Sequence, residues 1–295
     1  MNKPQGFTSH DVVAKLRGIL KTRRIGHGGT LDPLATGVLP VFVGGATKAA
    51  DFAAAQDKEY VAGFTLGIAT DTQDTTGTVL RTSDVRTGEE AVRQCLAGFL
   101  GPQEQIPPMY SAVKIDGKKL YELARKGKEV ERAPRPIVVH QIELLSFDEA
   151  AQKGRLRLVV SKGVYVRTLI HDVGESLGTL AAMHSLTRTR AGAYTLEQTV
   201  DFDAVEDAAV QERVAALLRP ADSLFMNYPA VHLTAEGADR AARGAVVFPR
   251  QVDSLPEMPG VLVRVYNPDR QFCMLGQVRT LDKGGVGLFV YKNFR

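Results

Sequence analysis

The chain has 295 residues, 44% of them hydrophobic and 24% charged, with a formal net charge of +4. This is the composition of a globular protein large enough for one or two buried cores. No apolar run approaches the ~18 residues that span a bilayer, and Met1-Asn2-Lys3-Pro4 lacks the apolar centre of a signal peptide. Cys95 and Cys273 are too few and too far apart for a disulfide framework or a zinc site, so a cytoplasmic protein without metal is expected.

In chain order, Ser9 to Leu20 predicts a helix capped by Ser9, with Val12, Val13, Leu16, Ile19 and Leu20 at helical spacing. Lys21-Thr22-Arg23-Arg24 ends it and leads into a glycine-rich loop, followed by the apolar run Val38 to Val43. Tyr60 to Leu66 predicts a strand, Asp71 to Gly77 turns, and Glu89 to Leu100 an amphipathic helix. Residues 103–135 crowd Pro, Gly and Lys/Arg around Tyr110 and Tyr121, the texture of an insertion lying over a ligand. Leu156 to Val160 predicts a strand, and after the Lys162-Gly163 turn Arg167 opens a helix with Leu169, Ile170, Val173 and Leu177 on one side. An acidic stretch and Arg219-Pro220 suggest a boundary near 225. Beyond it, four strand candidates (245–248, 261–266, 272–276 and 286–290) suggest a small β-barrel or open sheet.

Charge is uneven along the chain. Residues 1–50 carry seven Lys/Arg against two Asp/Glu and residues 112–135 eight against four, while residues 201–222 carry two against six. The first two segments suit a polyanion and the third repels one, although basic segments alone are equally a solvated surface.

The stretch Gly26-His27-Gly28-Gly29-Thr30-Leu31-Asp32-Pro33-Leu34-Ala35-Thr36-Gly37 holds four glycines, one proline and one carboxylate in twelve residues. Such glycine density admits close approach of another molecule, and Pro33 drives Asp32 towards an extended conformation on the loop. The dipeptide alone is also an ordinary turn. At the start of its predicted helix, Arg167 would face the positive end of the helix dipole and needs an anion. Asp32 is the natural partner in a bidentate pair that lowers the Asp32 pKa; an exposed Arg167 is the alternative.

The glycine loop resembles the catalytic loop of the TruB-type tRNA pseudouridine synthases. The resemblance continues in Lys3-Pro4-Gln5-Gly6, Lys58-Glu59-Tyr60, 66–74, 105–114, 117–121, 161–167 and 186–192, in family order across residues 1–225. It implies a mixed α/β (α+β) catalytic domain over 1–225, built on a mainly antiparallel sheet, with residues 103–135 as an RNA-covering insertion. A small β-rich domain resembling the PUA RNA-binding module would follow over 226–295. It further implies isomerisation of a flipped-out uridine at tRNA position 55, in the T-arm stem-loop, by a monomer without cofactor or guide RNA.

By resemblance, Asp32 is the nucleophile and Arg167 its partner, Tyr60 stacks on the uracil and assists loss of the C5 proton, and Tyr165 and Leu186 line the base pocket. His27 and Lys3 would contact RNA, Lys3 at a phosphate. Read alone, each tyrosine is a core side chain, as strand aromatics usually are. Family members usually carry a short apolar strand before Lys-Pro-x-Gly; here Met1-Asn2 stands there, so either a strand is missing or the sheet edge is closed differently. Two rival readings are a guide-RNA-dependent synthase with partner proteins and a tRNA-binding or tRNA-folding protein without important catalysis.

Overall fold

The computed structural model describes residues 1–115 and 117–294; Asp116, inside the expected 103–135 insertion, and Arg295 lie outside the described residues. By compactness the chain divides into two units. One comprises Met1–Val12, Gly29–Pro40 and Ala54–Asp201, and the other Val13–Gly28, Val41–Ala53 and Phe202–Arg295.

The first unit is built on an eight-stranded mixed sheet. Its strands are β1 (Asn2–Lys3), β2 (Thr36–Val38), β3 (Lys58–Leu66), β4 (Gly101–Gln105), β5 (Arg135–Asp148), β6 (Lys153–Val160) and β7 (Ala181–Ala191), in the order β1-β2-β7-β3-β6-β5-β4, with Tyr194–Thr195 added onto β7. Neighbours along this order are antiparallel except β2 and β7, which run parallel. The sheet edge before Lys-Pro-x-Gly is formed by β1, where Asn2 faces Val38 and Lys3 faces Gly37.

One face of this sheet is covered by helices. In α2 (Glu89–Ala97), Val92 and Leu96 are buried; in α3 (Val166–Ser176), Val166, Leu169, Ile170 and Val173 are. The i, i+3, i+4, i+7 spacing in α3 puts these four on one side, where they join Phe64, Leu156, Leu158 and Met183 in one core. Burying a side chain of this size stabilises the fold by about 1.5–3 kcal/mol. Helix α2 stops at Ala97, earlier than the expected Leu100, because Gly98 and Phe99 close a tighter turn on the carbonyls of Cys95 and Leu96.

The helix expected from Ser9 is α1 (Ser9–Ile19), but Ser9 is not its cap. Thr8 and Asp11 bond reciprocally, the Asp11 N–H donating to the Thr8 hydroxyl at 3.0 Å and the Thr8 N–H to the Asp11 carboxylate at 2.8 Å. That is a capping box, and it frees the Ser9 hydroxyl for the glycine loop.

In the second unit, β8 (Ala230–His232), β9 (Leu262–Tyr266), β10 (Phe272–Thr280) and β11 (Val286–Asn293) form a sheet in that order, β8 parallel to β9 and the rest antiparallel. Val231, Val263, Val265, Val278 and Leu288 fill its core. The expected strand at 245–248 does not form: Val247 makes one isolated bridge to Leu288, and Ala230–His232 is the fourth strand instead. Gly244 sits at positive φ just before this segment, and Pro249, without an N–H, opens a 3-10 turn just after it. Too few residues remain for a ladder, and Val247 serves as a buried plug.

Candidate active site

The loop carrying Asp32 is tied down at nearly every residue. The Ser9 hydroxyl accepts from the Leu31 N–H at 2.8 Å and donates to the Leu31 carbonyl at 3.2 Å. The Ala35 N–H closes a turn on the Asp32 carbonyl at 3.0 Å, and the Gly6 N–H holds the Pro33 carbonyl at 2.8 Å. Gly37 has φ +99°, and a Cβ there would lie 2.3 Å from the Arg188 carbonyl oxygen, so this crossing of β2 against β7 admits only glycine.

Two buried cations complete the frame. Lys3 has no exposed surface, and its ammonium donates to the carbonyls of Phe7 (2.5 Å), Pro4 (2.9 Å) and Pro33 (3.5 Å). Burial brings its pKa down to about 8, against the opposing pull of Asp32. This corrects the expected phosphate contact: an ammonium enclosed by three carbonyls shapes the loop from inside and does not face a ligand. Arg188 on β7 is 1% exposed, its Nε donating to the Val38 carbonyl at 2.7 Å, Nη1 to Thr30 and Nη2 to Gly29, both at 3.2 Å.

Arg167 stands in the first turn of α3 and meets Asp32, its Nε 3.1 Å from Oδ2. The pair is not bidentate. Nε approaches the carboxylate without the alignment of a hydrogen bond, while Nη1 donates to the Thr72 carbonyl at 3.2 Å and Nη2 to the Tyr110 carbonyl at 2.6 Å. Backbone carbonyls thus hold the guanidinium plane, and the carboxylate meets its edge.

The direction of the Asp32 pKa is also corrected. Burial raises it above the usual carboxylate value; Arg167 and Lys3 pull it down, and Asp74 pushes it further up. Arg167 therefore offsets only part of the desolvation. The Asp32 side chain keeps about a third of its surface (34%) against 4% for Arg167, so the carboxylate reaches solvent and its counter-ion does not.

Tyr60 on β3 is 7% exposed and shares a core cluster with Leu31, Ala35 and Leu186. Tyr165 precedes α3, its backbone clamped by Gln105, whose side chain accepts from the Tyr165 N–H at 2.8 Å and donates to its carbonyl at 3.1 Å. The Arg167 guanidinium lies 5.8 Å from the Tyr165 ring centroid. Burial is the largest influence on the Tyr165 hydroxyl and raises its pKa. Asp32, Arg167, Tyr165, Tyr60 and Leu186 all belong to the first compact unit. His27 lies in the second, on the Ile25–His27 strand opposite Val41.

Two supporting residues escaped the sequence reading as site residues. Asp74 is 5% exposed, its Oδ1 accepting from the Thr72 and Thr76 hydroxyls (2.9 and 2.5 Å) and the Thr76 N–H (2.9 Å). Those bonds shape the turn that offers the Thr72 carbonyl to Arg167. The alternation of Asp and Thr over residues 70–76 was its signal. Arg188 left a fainter one, an arginine in a strand whose neighbours alternate between faces. Among the described residues, no group of three or more His, Cys, Asp or Glu side chains is placed to hold a metal ion.

The loop carboxylate and its buried arginine stand on a mixed sheet whose sequence matches a known family of pseudouridylate synthases over most of its length. The family model described as TruB family pseudouridylate synthase (N terminal domain) matches residues 17–166, and tRNA pseudouridylate synthase B C-terminal domain matches 167–226. The chain belongs to the TruB family. It is 39% identical over 289 residues to the tRNA pseudouridine synthase B of Syntrophomonas wolfei, covering 97% of this chain and 94% of that protein. The Halalkalibacterium halodurans protein of that name is 42% identical over 250 residues, covering 83% and 82%. Among solved structures, a chain of a Cbf5-Nop10-Gar1 complex superposes with a TM-score of 0.76 at 28% identity, covering all of this chain and 83% of that one.

Proposed function

We propose that this chain isomerises uridine to pseudouridine in tRNA, at position 55 of the T arm, with Asp32 as nucleophile. The observation that carries the reading is the Asp32–Arg167 contact at 3.1 Å, inside the segment shared with the family. The reaction breaks the C1′–N1 bond, turns the uracil and joins C5 to C1′; C5 loses a proton and N1 gains one. Substrate and product are isomers, so no electrons and no group are added, and no cofactor is called for.

A carboxylate serves this chemistry by adding to the base or the sugar, or by stabilising charge at C1′, and each route needs it ionised. Arg167 favours that state, while the partial burial of Asp32 removes the water that would blunt its reactivity. A base extruded from folded RNA needs stacking and edge contacts; Tyr60 supplies a ring face, and Tyr165 and Leu186 flank it. Tyr60 also assists loss of the C5 proton, and His27 contacts RNA around the flipped nucleotide. In this reading residues 1–225 form the catalytic segment, with 103–135 lying over the RNA, and 226–295 a PUA-like RNA-binding segment. The four-stranded sheet of β8 to β11 supports the latter.

The chain acts in the cytoplasm, as a monomer and without guide RNA. The relatives that support this bear the name tRNA pseudouridine synthase B at 39–42% identity, whereas the chain from the Cbf5-Nop10-Gar1 complex stands at 28%. Tritium release from a T-arm hairpin labelled at uridine C5 tests the reading. The full chain alone is expected to release one equivalent from the target uridine. Release only after guide RNA and partner proteins are added supports the guided rival, and tight binding with no release supports the RNA-folding rival.

A further inference from the structure

The Asp32 loop runs from Gly29 into β2 of the large sheet, and one side chain spans both its ends. Arg188 reaches from β7 to the carbonyls of Gly29 and Thr30 on the way out and of Val38 on the way back. Its backbone faces Tyr60 on β3 and Gly37 on β2, so with Thr187 it stands where β7 lies between the strand of Tyr60 and the return of the loop. None of the ion pairs found among the described residues involves Arg188. Its nearest charged neighbours include another cation, Lys58, whose pKa is brought down to about 8 by burial and then by Arg188.

A buried arginine without a carboxylate pays a large desolvation cost unless its N–H groups are well used. All three nitrogens of Arg188 are spent on loop carbonyls, two residues or more from Asp32 on either side. Charge pairing therefore does not explain this residue; geometry does. A planar fork holds separated acceptors at fixed spacing, whereas a lysine offers one point.

We propose that Arg188 is a positioning residue for the isomerisation: it clamps the two ends of the 30–38 excursion and so fixes where the Asp32 carboxylate stands against Arg167 and Tyr60. This rests on the reading of Asp32 as nucleophile. Arg188 touches neither substrate nor the reacting atoms. Its effect is carried by the loop backbone, where misplacement by about 1 Å costs on the order of 10²-fold in rate.

The test uses the full chain with Arg188→Lys, Arg188→Ala and Asp32→Asn, measuring single-turnover tritium release, hairpin Kd and amide hydrogen exchange. Arg188→Lys keeps the buried charge and is expected to lose thirtyfold or more in single-turnover rate, with Kd within threefold of the parent. Exchange should rise at the Ala35 amide, which closes the turn on Asp32, and stay unchanged at amides of β3 and β6. Guanidinium ion at millimolar concentration should restore at least tenfold of the rate lost by Arg188→Ala and nothing in Asp32→Asn. A rate for Arg188→Lys within threefold of the parent overturns the proposal, as does a rate loss matched by an equal loss of affinity. Should Arg188→Ala fail to fold, the lysine variant and the Ala35 exchange decide alone. The reading beneath fails separately, by turnover in Asp32→Asn.

Discussion

The Asp32 loop and the sheet of β8 to β11 are held by opposite means. Around Asp32 three of the buried side chains are cations: Lys3, Arg167 and Arg188 are each 4% exposed or less, and each bonds to backbone carbonyls. In the later sheet the interior is Val231, Val263, Val265, Leu275 and Leu288, each 1% exposed or less. Most of its polar pairs stand outside, His232 on Asp253 and Arg243 on Asp239 with side chains 39–75% exposed, while Arg264 on β9 meets Asp222 with side chains 13% and 18% exposed. Apolar packing is tolerant of where an atom sits to within a few tenths of an ångström, and its return in stability is large. Buried cations on carbonyls return little net stability after desolvation, but they fix atoms in place. The first region is built for geometry and the second for stability.

Four substitutions probe this contrast, in order of their effect on turnover. Asp32→Asn keeps the shape of the loop and removes the charge; turnover should fall below ~10⁻³ of the parent rate, with hairpin Kd within threefold. Residual release above that level refutes the nucleophile.

Arg167→Met strips the counter-ion and the two donors to Thr72 and Tyr110. Stability should drop by about 2–3 kcal/mol, less than the ~3–5 of a fully buried pair because Asp32 keeps some water. Turnover should fall steeply and recover in part as pH rises. The sign follows from burial, which raises Asp32 in the folded state. Folding gains from its protonation at low pH, and that gain disappears as pH climbs through the folded value. The acid limb of the parent rate profile should accordingly lie above the ordinary carboxylate range, and that of Arg167→Met higher still. Coincident acid limbs would separate Asp32 from Arg167 in function despite their contact.

Tyr60→Phe keeps the ring and loses the hydroxyl. A fall of ~10²-fold in turnover at unchanged Kd is expected for a group assisting proton removal, and near-parent turnover would confine Tyr60 to stacking. Leu275→Ala, in the apolar sheet, should cost about 2–5 kcal/mol in stability yet leave turnover at saturating RNA within twofold at a temperature where the variant is folded. A turnover loss there comparable to that of Tyr60→Phe would erase the contrast between the regions.

The sequence made some of this legible and hid the rest for physical reasons. Helix α3 announced itself because its apolar residues repeat at helical spacing, and Asp32 because Pro33 and four glycines restrict what that loop can be. The Asp32–Arg167 contact followed from the need of an arginine in a first helical turn for an anion. Its single-edged geometry did not, because the competing acceptors are carbonyls of Thr72 and Tyr110, and every residue has a carbonyl. The same holds for Lys3, which reads as a surface cation until three carbonyls close on it. The direction of the Asp32 pKa was missed because it is a balance between a pair, visible in sequence, and desolvation by surroundings that are not. Segment 245–248 is rich in β-branched residues, yet Gly244 and Pro249 leave it no room.

Because β2 lies beside β7 in parallel, the clamp on the Asp32 loop joins residues 159 apart in sequence, Gly29 and Arg188. At ~5–20 residues per second of synthesis, about 8–30 s separate the emergence of the two. Throughout that interval the loop has its glycines and Pro33 but not Arg188, and for most of it not Arg167 either. Asp32 is then an ordinary solvated aspartate on a mobile segment. The centre is completed only when β7 takes its place between β2 and β3, so a chain truncated before Arg188 carries every group the chemistry names and lacks the frame that aims them.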